Sequence, residues 1–135
     1  MMYLLDTNVV SELRKAGKAD QRVVAWAEQT DVQFMYISVV SILEIRLGIL
    51  SLQRKDKAQA DVLGTWLSRQ VIPGFAERIL PVDLAVALRC AELHVPDPRS
   101  DRDALIAATA LAHGLTVVTR NTKDFEPTGV VTLNP

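Results

Sequence analysis

An α/β domain with a mostly parallel sheet of about five strands, covered by helices on both faces, is the fold class the sequence predicts. Two observations predict it. Short β-like runs alternate with longer stretches of helical periodicity, and no low-complexity tract, internal repeat or linker divides the 135 residues. A single domain, 1–135, is therefore expected. Strands separated by helices need crossover connections, which make parallel sheets with both faces covered.

Taken in order, "MYLL" (2–5) reads as the first strand and runs straight into Asp6-Thr7-Asn8, with a helix over 8–15. A second helix, 20–29, leads to strand "QFMYIS" (33–38). Helices over 39–53 and 56–70 follow, then strand "RILPV" (78–82) and a helix over 83–94. The helix over 103–113 closes on His113-Gly114, a usual helix end. Strands "LTVVT" (115–119) and "VVTL" (130–133) finish the sheet. In such sheets ligands bind beyond the carboxyl ends of the strands, at a topological switch point, and Asp6 stands at that edge.

Composition narrows the function classes. A chain of this length buries enough surface to fold without a metal or disulfide staple. The single cysteine, Cys90, has no partner for an internal disulfide, and no signal-like segment opens the sequence. A cytoplasmic protein is expected. The most apolar stretch, "VVSILEIRLGIL", is broken by Glu44 and Arg46, so no membrane span is expected. Lys and Arg number 15 against 16 Asp and Glu, for a net charge of −1. Bulk charge therefore does not hold a polyanion, and nucleic acid needs a local site. The hydrophobic share of 49% is slightly above the usual once glycine is counted, which leaves apolar surface for a partner.

Several acids share one address. Asp6 ends the first strand, Asp103 opens "DALIAATALAHG", and Asp124 follows "LTVVT" in "RNTKDF". Each has a structural use as well: Asp6, or Asn8 beside it, as a cap of the first helix, Asp103 in a Ser100-x-x-Asp103 capping box, Asp124 as a turn residue. Glu44 is more telling. At 100° per residue, Ser41, Glu44, Gly48 and Ser51 form a stripe about 80° wide, flanked by Val40, Leu43, Leu47 and Leu50 on one side and Ile42, Ile45 and Ile49 on the other. A helix so apolar is expected to be largely buried, and a buried carboxylate is costly unless paired with a cation such as an arginine or a metal.

Carboxylates sharing a crevice repel; a like pair about 4 Å apart costs on the order of 4 kcal/mol at an effective dielectric of 20. A cation would relieve this, and an all-oxygen set suits Mg²⁺ or Mn²⁺ better than zinc. His94 and His113 lie in different helices, and Cys90-x3-His94 reads as core packing. Carboxylate-held Mg²⁺ commonly serves phosphodiester hydrolysis. Arg99 and Arg102 precede Asp103, and Arg120 and Lys123 precede Asp124; these are candidate phosphate contacts, which position nucleic acid without reading it.

The residues also carry a resemblance. Over essentially its full length the chain resembles the PIN-domain ribonucleases of the VapC/FitB toxin type, in "YLLDTNVVSEL", "ISVVSILEIRLGI", "DALIAATALAHGLTVVTRNTKDF" and the last strand "VVTLNP". The resemblance implies a PIN-like three-layer α/β/α sandwich, dependence on Mg²⁺ or Mn²⁺, selective cleavage of RNA, and a homodimer held by an antitoxin. The family's acidic set falls on Asp6, Glu44, Asp103 and Asp124, with Thr119 and Asn121 at the matching polar positions. "RSDRDAL" departs slightly from relatives and leaves Asp101 unassigned. Two other classes compete. A phosphotransfer domain, receiver or phosphatase-like, wants Asp-x-Asp or a phosphoacceptor Asp after a central strand, where this chain offers Asp6-Thr7-Asn8, Ser38 and Asp83. A catalytically silent PIN binding module needs no intact acid set.

Overall fold

The computed structural model describes residues 1–15 and 17–135. Five strands form one sheet: β1 (Tyr3–Leu5), β2 (Met35–Ser38), β3 (Ile79–Leu80), β4 (Thr116–Val118) and β5 (Thr132–Leu133), in the order β3-β2-β1-β4-β5. Every pairing is parallel, with Tyr3 opposite Met35 and Leu5 opposite Val118. The chain builds outward from β1 through β2 to β3, then returns to the other side of β1 for β4 and β5. The switch point is the seam between β1 and β4.

Side chains alternate across the sheet, so neighbours along a strand enter different cores. Leu5, Ile37 and Val118 pack with Val9, Val23, Ile45 and Ile49 on one face. Leu4 and Val117 pack on the other face with Ile106, Ala107, Ala110 and Phe125. The three-layer architecture follows. The first face is covered by α1 (Thr7–Leu13), α2 (Gln21–Gln29), α3 (Val39–Gln53) and α4 (Lys57–Trp66), the second chiefly by α7 (Asp101–His113), against which α6 (Leu84–Leu93) packs.

Helix starts are specified locally. Asp6, Asp20, Ser38, Asp56 and Asp83 each accept a backbone N–H in the first turn of α1, α2, α3, α4 and α6 respectively. Gly114 ends α7 at φ +67°, a conformation glycine adopts without strain. Most boundaries move by one or two residues from expectation, and three of the differences have a clear local cause. Residues Val32–Phe34 form a 3-10 turn because Asp31 accepts the Gln33 N–H, which delays the second strand. The third strand stops before Pro81, which has no N–H to offer a ladder. The helix expected over 56–70 widens into a π-type turn at Leu67–Val71 ahead of α5 (Ile72–Gly74), where the Pro73 ring would crowd a regular turn.

The largest correction concerns α3. Val40, Ser41, Ile45 and Ile49 are buried, but Val39, Leu43, Leu47 and Leu50 are 37–54% exposed. This helix is half buried, with an apolar stripe facing outward. Cys90 packs among Val86, Ala104 and Ala108, as a core cysteine should. Among the described residues no helix is long and apolar enough to cross a membrane.

Candidate active site

Asp6 is placed by the sheet. Its backbone N–H donates to Val118 O at 2.9 Å, which fixes it at the seam between β1 and β4. The residue is 7% exposed, and its carboxylate accepts two hydrogen bonds, from the Thr7 N–H at Oδ1 and from Thr119 Oγ1 at Oδ2, both at 2.8 Å. Capping and site membership coexist, one oxygen to each. Burial pushes the Asp6 carboxyl above the ordinary aspartate range; the two hydrogen bonds oppose this, and the charges of Glu44 and Asp124 add to it.

Glu44 enters from the middle of α3 with a quarter of its side chain exposed. Thr7 Oγ1 lies 2.7 Å from Glu44 Oε1 and 2.9 Å from Ser41 Oγ. A carboxylate only accepts, so the Thr7 proton goes to Glu44 and the Ser41 hydroxyl donates to Thr7. Among the described residues no core arginine pairs with Glu44. Its cationic neighbour is Arg102, 3.9 Å from Oε2 and 48% exposed. Nothing within 4 Å would meet a Cβ at Gly48, one turn on, so the space beside Glu44 is open there.

Asp103 lies in the first turn of α7. The expected capping box does not close, since Ser100 makes no side-chain cap bond. Burial raises the Asp103 carboxyl, and so do the charges of Asp6, Asp124 and Glu44, against a weaker pull from Arg102. Asp124 sits exposed in a 3-10 turn, Thr122–Asp124, with its N–H on Asn121 O at 3.1 Å. The four acids thus come from four separate segments and feel one another's charge. As placed, no three His, Cys, Asp or Glu side chains among the described residues stand close enough to share one ion.

The supporting residues divide. Thr119 is fully buried and central: besides donating to Asp6 it accepts from the Asn121 N–H at 3.0 Å and from Asn8 Nδ2 at 3.4 Å. Asn121 contributes through its backbone, and its side chain is not engaged in these bonds. Arg102 stands by Glu44, and exposed Lys123 adjoins Asp124. Arg99 and Arg120 turn elsewhere, Arg99 Nε to Leu93 O at 2.9 Å and Arg120 to Glu12 and Asp20. Sequence reasoning assigned Thr7 and Ser41 no role and took Asn8 only as an alternative helix cap. Their signals were present: Thr7 and Asn8 follow Asp6 directly, and Ser41 lies one turn before Glu44 on the same stripe.

The donor set fits a hard divalent cation. All the ligand candidates are oxygens, and Asp6 and Asp103 are raised first by burial and further by neighbouring carboxylates, both of which a cation would offset. At the four acids the side-chain hydrogen bonds fall on Asp6 and Glu44 alone among the described residues, so Asp103 and Asp124 keep their oxygens free.

Residues 3–129 match the family profile described as "PIN domain". The chain is similar to Toxin FitB of Neisseria gonorrhoeae, 38% identical over 99% of this chain and 98% of that protein. It is also similar to VapC ribonuclease Y4jK of Sinorhizobium fredii, 36% identical over 99% and 97%. Among solved structures, FitAcB from Neisseria gonorrhoeae superimposes with a TM-score of 0.89 at 37% identity, over 99% of this chain and 98% of that one. FitAB bound to an IR36 DNA fragment gives 0.87 at 37% identity, over 99% and 95%.

Proposed function

The chain belongs to the PIN-domain family, beside the VapC and FitB toxins, and from that premise we propose that it is a Mg²⁺- or Mn²⁺-dependent endoribonuclease, the toxin of a toxin–antitoxin pair. The observation that carries the reading is the buried Asp6 at the switch point of the sheet, pushed up with Asp103 first by burial and then by the charges of acids on other segments, Glu44 and Asp124 among them. A bound divalent ion would lower the pKa of a water and stabilise the charge that develops on the phosphate. Asp6, Glu44, Asp103 and Asp124 would hold that ion.

The protein's own groups divide the remaining work. Thr119 and the Thr7 N–H aim the Asp6 oxygens, and the Thr7 hydroxyl aims Glu44. Arg102 and Lys123 offer exposed positive charge beside the acids, suited to an RNA phosphate. Phosphotransfer is the weaker reading, since Ser38 and Asp83 are spent capping α3 and α6.

Partners follow from two surfaces. The exposed α3 stripe is the self-association face of a homodimer. A groove of about 340 Å³ runs from Thr7 and Glu44 past Arg14 and Gly48 to apolar walls at Ile49 and Trp66. It suits the apolar face of an amphipathic antitoxin helix, with an antitoxin cation, an arginine, reaching the acids. That the similar FitAB was solved as a complex supports a partner protein here.

The test is cleavage of RNA by the purified chain with Mn²⁺ and with EDTA, for wild type and Asp6→Asn. The reading expects cleavage by wild type with Mn²⁺ alone. Equal cleavage by both proteins, or persistence in EDTA, contradicts it.

A further inference from the structure

Arg120 lies between Thr119 and Asn121, in the segment that leads to Asp124, yet its side chain turns away from the acids. Its two terminal nitrogens reach two different carboxylates: Nη1 donates to Glu12 Oε1 at 2.9 Å and Nη2 to Asp20 Oδ2 at 3.1 Å. Its backbone N–H donates to Asn8 Oδ1 at 3.3 Å. Side chain and main chain of one residue therefore tie this segment to α1, and Asp6 caps the same helix.

Glu12 is an unusual surface acid. Its residue is 7% exposed, and besides Arg120 it accepts the Asp20 N–H at 2.8 Å and Lys15 Nζ at 3.1 Å. These bonds hold its carboxyl below the ordinary glutamate range, the Asp20 N–H contributing most. Exposed pairs contribute little, but this one is partly shielded, forked and networked, the arrangement in which geometry is fixed. The segment needs such a tie. Between the buried Thr119 and the buried Phe125, the other hydrogen bonds of residues 120–124 are short-range, from the Asn121 N–H to Thr119 Oγ1, the Asp124 N–H to Asn121 O and the Phe125 N–H to Thr122 O, whereas the contacts of Arg120 reach distant segments.

We propose that Glu12, Asp20 and Arg120 form a positioning latch that holds the 120–124 segment, and with it Asp124, in register with Asp6. None of the three touches the reacting atoms; they act through Asp124. The purpose assigned to the latch rests on the nuclease reading, whereas the latch itself does not.

Two measurements test it on the full-length chain. The first is hydrogen–deuterium exchange in EDTA, comparing wild type with Arg120→Gln, Arg120→Lys and the control Arg22→Gln, which removes another partner of Asp20 but leaves the segment untouched. The second is the Mn²⁺ dissociation constant, from the electron paramagnetic resonance signal of free Mn²⁺. The latch predicts exchange at least tenfold faster in Arg120→Gln at the amides of 121–125, and a Mn²⁺ dissociation constant raised roughly 10- to 100-fold, the usual effect of losing a group that orients a metal ligand. Arg120→Lys, which keeps the charge but spans only one carboxylate, falls between, and Arg22→Gln behaves as wild type. Unchanged exchange and unchanged Mn²⁺ affinity in Arg120→Gln, with a raised KM for RNA, would overturn the latch and make Arg120 a phosphate contact. Should Arg120→Gln not fold, Arg120→Lys decides by the same readouts. If wild type itself binds no Mn²⁺, the nuclease reading fails, and exchange alone judges the latch: faster exchange sustains it and unchanged exchange overturns it.

Discussion

Thr119 Oγ1 donates to Asp6 Oδ2 at 2.8 Å, joining residues 113 positions apart at the ends of neighbouring strands. The same oxygen accepts from the Asn121 N–H, so one buried hydroxyl serves both the acid and the loop. Thr119→Val keeps the shape and removes the bonds, leaving the buried Asp6 carboxylate one donor short and the Asn121 N–H without its acceptor. It should destabilise the metal-free protein by about 1–3 kcal/mol in urea unfolding, whereas Thr119→Ser, which keeps the hydroxyl, should lose less. Equal losses in the two variants would mean that the hydroxyl bonds contribute nothing.

Asp103→Asn tests repulsion among the acids more cleanly than Asp6→Asn, because Asp103 has no cap bond to lose. Its folded pKa is raised from 3.8. The stability it contributes is full below the unfolded value and is lost as pH rises through the folded value. In EDTA at pH 7, Asp103→Asn should therefore raise Tm, and the gain should vanish as the pH falls below about 4. Added Mn²⁺ should stabilise wild type more than the variant. A Tm in EDTA that is unchanged at pH 7 argues against a shared acidic pocket.

Thr7→Ala should leave Tm within a few degrees of wild type and weaken Mn²⁺ binding roughly 10-fold or more, since Glu44 loses the donor that aims it. Thr7→Ser should restore binding. The check is the same Mn²⁺ titration in the three proteins, and equal affinities would remove Thr7 from the site.

The α3 stripe makes the homodimer testable. Leu43→Lys with Leu47→Lys places charge on residues 54% and 47% exposed, so the fold should keep its circular dichroism spectrum. Sedimentation velocity should show a dimer for wild type at micromolar concentration and a monomer for the double variant. A monomeric wild type contradicts the interface.

These cases divide by what local sequence carries. The five strands and the address of Asp6 were legible because an acid directly after an apolar run marks a strand's carboxyl edge, and parallel topology follows from the helices between strands. The outward face of α3 was not. Val39, Leu43, Leu47 and Leu50 are apolar whether they meet the protein's own core or another chain, so periodicity alone called the helix buried. Nor was the direction of Arg120: proximity to Asp124 in sequence suggested a phosphate contact, but the side chain pairs with Glu12 across 108 positions. The link from Thr7 to Glu44 likewise exists only once α1 and α3 pack.

The most direct measurement of the central claim is the chemistry of the cut RNA ends. Water activated at a carboxylate-held metal should leave a 5′-phosphate and a 3′-hydroxyl, only with Mg²⁺ or Mn²⁺ present. The account predicts those ends for wild type, with cleavage lost in Asp6→Asn. Ends bearing a 2′,3′-cyclic phosphate that persist in EDTA would contradict it, since they arise from attack by the RNA's own 2′-hydroxyl.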